Sequence, residues 1–373
     1  MFKIIRNAHI YAPEDLGAQD VLISEDKIIE VKKNINFPYE HEEIDATNKY
    51  LVPGFIDQHV HIIGGGGENG FSSLIREIQV KDCVQYGVTS VVGLLGTDAH
   101  VKSIAQLVAK TKALKEEGMS AYCLTGSYAV PTTTLTGDIG KDIAFVDEII
   151  GTKVAISDHR SSAPTKQELA RIATQCRTAG LLAKKPGIVH MHTGKGKDGL
   201  KKIMEIVNET DIPITQFRPT HCANQYEDAI AFAKMGGYID FTADEDTDAL
   251  LVETLKQIPL SQITLSSDAN GSFPIWNDDM TIRAMGIGKM QTLYEVIRSM
   301  IINQHIDPSI ALSIITKNVA DALLLTNKGQ IQKGKDADIV LLDEIYQITD
   351  VYALGQPMIV SKKYVKKDYY EYE

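Results

Sequence analysis

The sequence is poor in cysteine. Cys83, Cys123, Cys176 and Cys222 are the four in 373 residues, and no two form a Cys-x-x-Cys pair. That spacing excludes a disulfide-stapled secreted scaffold and a zinc site built from paired cysteines, and it fits a reducing compartment. Long apolar runs are missing too: nothing approaches the ~20 residues of a membrane span. The start, Met1-Phe-Lys-Ile-Ile-Arg6, passes straight into charge without the apolar core of a secretory signal. A cytoplasmic location without membrane contact is the expectation. Nor is there a basic excess, since 38 Lys and Arg face 49 Asp and Glu for a net charge of -11. Nucleic acid and anionic bilayers are therefore not the expected partners. Finally, the glycines after the first strand of the central region do not read as a dinucleotide-binding fingerprint. Gly64–Gly67 is a plain glycine run ahead of Glu68, which argues against a dinucleotide cofactor.

What is present is the composition of a soluble globular protein, 44% hydrophobic and 23% charged. The first 52 residues read as short strands, among them Phe2–Ile10 and Val21–Glu30. Strand texture returns after about residue 325, in Gly334–Leu342, Val351–Leu354 and Met358–Val365. The two ends, 1–52 and 326–373, are expected to form one small β-sandwich domain, with Lys366–Glu373 as a solvated tail. Between them strands alternate with helical patterns such as Val101–Glu117, Gln167–Leu182 and Met290–Asn303. The strand-like runs are Leu51–His61, Thr89–Gly96, Ser120–Gly126, Lys153–Ser157, Gly187–His192, Ile214–His221, Tyr238–Ala243 and Ile263–Asp268. Eight strands with helices in the gaps predict an α/β fold, a (β/α)8 TIM barrel spanning residues 53–325.

Catalytic groups of such barrels sit at the C-terminal ends of the strands. His59 and His61 end the first run, His192 the fifth, His221 the sixth and Asp268 the eighth. A lone His-x-His is commonly a hydrogen-bonded or solvated pair. Five ligand-type residues at successive strand ends point instead to a metal site, since imidazole and carboxylate suit zinc and similar ions. His190 shares the parity of His192 and is expected one layer deeper in the barrel. Lys153 reads from composition as an ordinary lysine, although a buried lysine with a depressed pKa can add carbon dioxide to become an anion.

Several stretches carry a family resemblance: Pro53–His61, Gly64–Glu68, Thr89–Asp98, Ala155–Arg160 and Leu265–Ser272. With them the chain resembles the isoaspartyl dipeptidases of the amidohydrolase superfamily over nearly its whole length. The resemblance implies two zinc ions per subunit. His59, His61 and Asp268 would hold one and His192 and His221 the other, bridged by a hydroxide and by Lys153 carboxylated on its amine. It implies hydrolysis of the β-aspartyl amide bond of a dipeptide by that hydroxide, with Asp268 as general base and acid. Glu68, Thr97, Tyr128, Arg160 and Ser272 would contact the substrate, Tyr128 steadying the oxyanion and Glu68 the ammonium. A homo-oligomer, an octamer in size, is implied as well. The family pattern places an arginine three residues after the strand-six histidine, to bind a substrate carboxylate; here Asn224 stands there. Arg218, three residues before His221, is the candidate to compensate. The alternatives are an amidohydrolase of the hydantoinase or dihydroorotase type acting on cyclic amides, a deacetylase, or a barrel that has become a binding scaffold.

Overall fold

A computed structural model describes residues 2–279 and 281–367, so the end of the tyrosine-rich tail, 368–373, lies outside the described residues. Eight strands in chain order build the barrel: Phe55–Val60, Val88–Gly93, Ser120–Gly126, Ile149–Ile156, Ile188–Thr193, Phe217–Thr220, Ile239–Thr242 and Ile263–Ser266. The first six pair in parallel, each with its sequence neighbour, and the last two pair with each other. A parallel bridge between Val60 and Ala269 joins the first strand to the chain just past the eighth. His61 N donates to Ala269 O there at 2.9 Å.

Between the sixth, seventh and first strands the joints are made by buried side chains. Asp240 accepts from Thr220 (2.6 Å), Ser266 (2.6 Å), Thr264 (2.9 Å) and Gln58 (2.6 Å). A buried carboxylate with four donors is fully satisfied, so it can knit strands where backbone ladders lapse.

The helices follow their strands as the periodicity predicts. The longest, Lys166–Ala183, starts at a capping box of Thr165 and Glu168 and buries Leu169, Ile172, Ala173, Cys176 and Ala179 toward the sheet. The N-terminal mouth of the barrel is filled with apolar side chains. Ile56, Val92, Leu124, Ile150 and Ile188 pack there with Val319, Ala320 and Leu323, the last of these just past helix Lys317–Ala322.

One expected strand proves to be two. Leu51–His61 breaks at Gly54: Tyr50–Pro53 pairs with Phe2–Tyr11 and Ile339–Leu342, and Phe55–Val60 begins the barrel. A Cβ on Gly54 would lie 2.2 Å from Thr89 Oγ1, so only glycine lets the chain change sheets at that point. The expected strand Ile214–His221 is likewise shorter, because a 3-10 turn at Ile214–Gln216 follows Pro213. Strands from residues 2–53 and 339–364 form one nine-stranded mixed sheet. Its core gathers Ile5, Ile10, Val21, Ile23 and Ile28 with Leu51, Ile339, Leu341 and Tyr352.

An antiparallel hairpin, Ser272–Trp276 with Ile282–Ile287, rises after the eighth strand and has no counterpart in the strand reading of the sequence. Its apolar residues are half exposed, unlike those of a core strand.

Candidate active site

The C-terminal ends of the strands open into a cavity of about 800 Å³. His59, His61, His192, His221 and Asp268 line it, together with Glu68, Thr97, Tyr128, Arg160, Asn224 and Ser272. The hairpin contributes Phe273, Ile275 and Trp276 to its wall.

His59, His61 and Asp268 present ligand atoms within 4.8 Å of one another, all from buried side chains. The Nε2 atoms of His61 and His59 lie 3.2 and 3.4 Å from Asp268 Oδ1. His221 Nε2 stands 3.9 Å from Asp268 Oδ2, and Lys153 Nζ is 3.2 Å from His59 Nε2. The His192 ring lies 4.6 Å from that of His221, and its nitrogens are engaged by Tyr128 OH and by Asp158 Oδ2, both at 2.8 Å.

Whether these residues fit a metal ion can be tested on their unmet bonding. Asp268 Oδ1 and His61 Nδ1 are buried and have no hydrogen-bond partner. Buried polar atoms are normally paired, so unmet atoms on two ligand-type side chains of one cluster are what a cation would complete. Burial also holds His59, His192 and His221 below the ordinary imidazole range, His221 at about 3, helped by neighbouring positive charge. Neutral imidazole is the form that coordinates. The cluster fits a metal.

Two of these side chains sit on strained backbone. His221 (φ 58°) and Asp268 (φ 51°) are left-handed, as is Ser157 (φ 52°) after the fourth strand. Each turns the chain sharply as it leaves the barrel, and such positions cluster where function over-determines the conformation. Beneath them, His190 Nε2 meets His59 Nδ1 at 2.8 Å, the deeper layer expected for that residue.

Burial lowers the Lys153 ammonium to about 8, so a fraction of the side chain is a neutral amine near pH 7. Burial pushes the Tyr128 phenol well above its ordinary value, which keeps its proton in place. Burial would raise Asp268, but the His61, His221 and Lys153 side chains around it hold it below the usual carboxylate range.

The recognition side is built on loops. Glu68 Oε1 accepts from Thr97 at 2.9 Å and faces Arg160 at 3.3 Å, while Oε2 accepts from Ser272 at 2.7 Å. The glycines before it make that reach possible. Gly64, Gly66 and Gly67 have positive φ, and a Cβ at Gly64 would lie 2.0 Å from Ile75 O.

The structure corrects one expectation. Arg218 does not face the cavity. Its guanidinium turns to the N-terminal mouth and donates to Ala322 O (3.0 Å from Nε) and Phe217 O (3.0 Å), over the Tyr238 ring at 4.5 Å. The carbonyls at the end of helix Lys317–Ala322 attract it there, so it cannot compensate for Asn224. Asn224 does line the cavity, with Nδ2 donating to Thr193 O at 3.0 Å.

Sequence reasoning gave Asp158 no role, although it stands within the Ser157-Asp-His-Arg160 stretch. It joins Arg160 (2.9 Å) and His192 (2.8 Å). Its place two residues before the arginine was the available signal.

The sequence profile of the amidohydrolase family matches residues 71–366. The chain belongs to the amidohydrolase family. It is similar to a solved β-aspartyl dipeptidase of Fervidobacterium islandicum, described in complex with β-Asp-Leu. That likeness has a TM-score of 0.95 and 39% identity, over 99% of this chain and 100% of the other. A dihydropyrimidinase of Brevibacillus agri shares the fold, with a TM-score of 0.67 and 19% identity over 98% of this chain and 96% of the other. A dihydroorotase of Listeria monocytogenes is 27% identical over 219 residues, 56% of this chain and 49% of that protein. The chain thus spans about half the length of such relatives. Among the described residues no helix is long and apolar enough to cross a membrane.

Proposed function

We propose that this amidohydrolase is a metal-dependent dipeptidase that cleaves the β-aspartyl amide bond of isoaspartyl dipeptides. The observation that carries the reading is Glu68: a carboxylate fixed by Thr97, Ser272 and Arg160 in the same cavity as the His59–His61–Asp268 cluster. A site with that acid beside Arg160 suits a zwitterion carrying both an ammonium and a carboxylate. The likeness to the β-aspartyl dipeptidase of F. islandicum supports it.

His59, His61 and Asp268 would hold one zinc ion and His192 and His221 a second, with carboxylated Lys153 as a further ligand. Carbon dioxide adding to the neutral Lys153 amine at Nζ would release one proton and leave a carbamate anion among the ligands. When bound, such ions act as Lewis acids toward the amide carbonyl and bring the pKa of a water to roughly 7.

The chain's own residues do the rest. Glu68 binds the substrate ammonium, and Arg160 takes the aspartyl α-carboxylate with Ser272 and Thr97 beside it. Asp268, ionised at neutral pH, accepts the proton of the attacking water and passes it to the leaving amine. Tyr128 keeps its proton and donates to the developing oxyanion, a contribution of about 3 kcal/mol for one such donor.

The test is hydrolysis of β-Asp-Leu, α-Asp-Leu and dihydroorotate by the purified protein, before and after chelation and zinc repletion. Zinc-dependent turnover of β-Asp-Leu alone is expected. Turnover of dihydroorotate instead would favour the cyclic-amide reading, for which the L. monocytogenes relative speaks. Sedimentation of the same preparation tests the octamer that the family resemblance implies.

A further inference from the structure

Building on the dipeptide reading above, we infer that Lys195 binds the C-terminal carboxylate of the leaving residue and thereby selects dipeptides over longer or amidated substrates. A β-aspartyl dipeptide brings two carboxylates into the cavity. Among the residues lining it, two carry a permanent positive charge, Arg160 and Lys195. Arg160 is already committed, with Nε and Nη2 on Asp158 at 3.0 and 2.9 Å and Nη1 on Glu68 at 3.3 Å. One guanidinium so engaged can serve one incoming carboxylate, not two.

Lys195 is the opposite case. It is exposed and makes no hydrogen bond or ion pair with any described residue. Its backbone, however, is held on both sides. Gly194 N donates to Ile156 O at 3.1 Å and Gly196 N to Ser157 O at 2.5 Å. Gln225 Nε2 donates to the carbonyls of Gly194 (3.0 Å) and Gly196 (2.8 Å). A Cβ at Gly194 would stand 2.5 Å from Ser157 O, and one at Gly196 2.6 Å from it. The flanking glycines let the loop run flat against Ser157 and Asp158. They fix where the lysine side chain begins and leave its ammonium free to reach.

The two candidates that the family pattern raises are engaged elsewhere. Arg218 faces the N-terminal mouth, and the Asn224 amide is used on Thr193 O at 3.0 Å. A long, hydrated ammonium suits a carboxylate that stays near the mouth of the cavity while the amide is cleaved deeper in. Such a contact is the same in the bound substrate and the transition state, so it acts on KM.

The test compares wild type, Lys195→Met and Lys195→Arg on β-Asp-Leu and on its C-terminal carboxamide. Wild type is expected to prefer the free acid by about 10- to 100-fold in kcat/KM, carried by KM. Lys195→Met should bring the acid down to the level of the carboxamide, and Lys195→Arg should restore most of the preference. A Lys195→Met variant that keeps the preference, or weakens both substrates alike, overturns the inference. Wild type that cleaves both forms equally overturns it while leaving the dipeptide reading intact. Wild type that cleaves neither overturns both.

Discussion

Buried charged and ligand-type side chains at the two ends of this barrel are treated in opposite ways. At the C-terminal end, Asp268 Oδ1 and His61 Nδ1 lack partners, and two of the ligand-type residues sit on left-handed backbone. At the N-terminal end the charges are amply met. Lys328 is gripped by Asp336, Asp338 and Ser120, joining the terminal sheet to the start of the third barrel strand, and Arg218 serves the carbonyls of Ala322 and Phe217. The difference teaches where the fold spends its bonding. At one end the buried cations are paired and hold the molecule together; at the other, ligand-type side chains keep bonding capacity in reserve.

Three substitutions can break that contrast. The largest effect should come from Asp268→Asn, which keeps size and tolerance of positive φ but loses the charge and the proton acceptor. On β-Asp-Leu, kcat/KM should fall by about 10³- to 10⁴-fold, the upper range for losing general acid–base catalysis. Thermal unfolding should stay within a degree or two of wild type or rise, because a functional residue with an unmet atom contributes little to stability. A large drop in Tm would mean that the C-terminal end is structural after all.

Next is Lys328→Met. It strands buried Asp338, while Asp336 keeps Lys27, and chemical denaturation should register a loss of about 3 kcal/mol. The surviving folded enzyme should keep its KM. The smallest effect is expected for Arg218→Leu, about 2 kcal/mol of stability from carbonyls left without donors. Its KM for β-Asp-Leu should be unchanged; a higher KM would return Arg218 to the cavity.

The same contrast decides what could be read from the sequence. Alternation of apolar runs and helical periodicity carried the barrel, and His59, His61, His192, His221 and Asp268 stood out because such residues seldom end an apolar strand without cause. The structure brings all five to one cavity. Glu68, Thr97, Tyr128, Arg160 and Ser272 come from separate loops, and their convergence depends on glycines and on the hairpin after the eighth strand. No local periodicity encodes that. The direction of Arg218 was misjudged for a similar reason. Its partners are the carbonyl end of a helix about a hundred residues later in the chain, and strand phase says nothing about that attraction. Lys195 was silent in the sequence because an exposed lysine between glycines resembles any surface loop. Only its lack of partners beside an overcommitted Arg160 singles it out.

The left-handed turns at His221 and Asp268 carry a consequence for how this family can vary. Outside glycine, the residues that tolerate positive φ most readily are asparagine, aspartate and histidine. Two of those three are also good metal ligands. At these exits the backbone therefore screens for nearly the same side chains that coordination chemistry requires. Drift that discards a ligand there is steered toward asparagine or glycine, which preserve the turn and abolish the chemistry. A relative carrying Asn or Gly at either position would be expected to keep the barrel intact as a folded, metal-poor descendant.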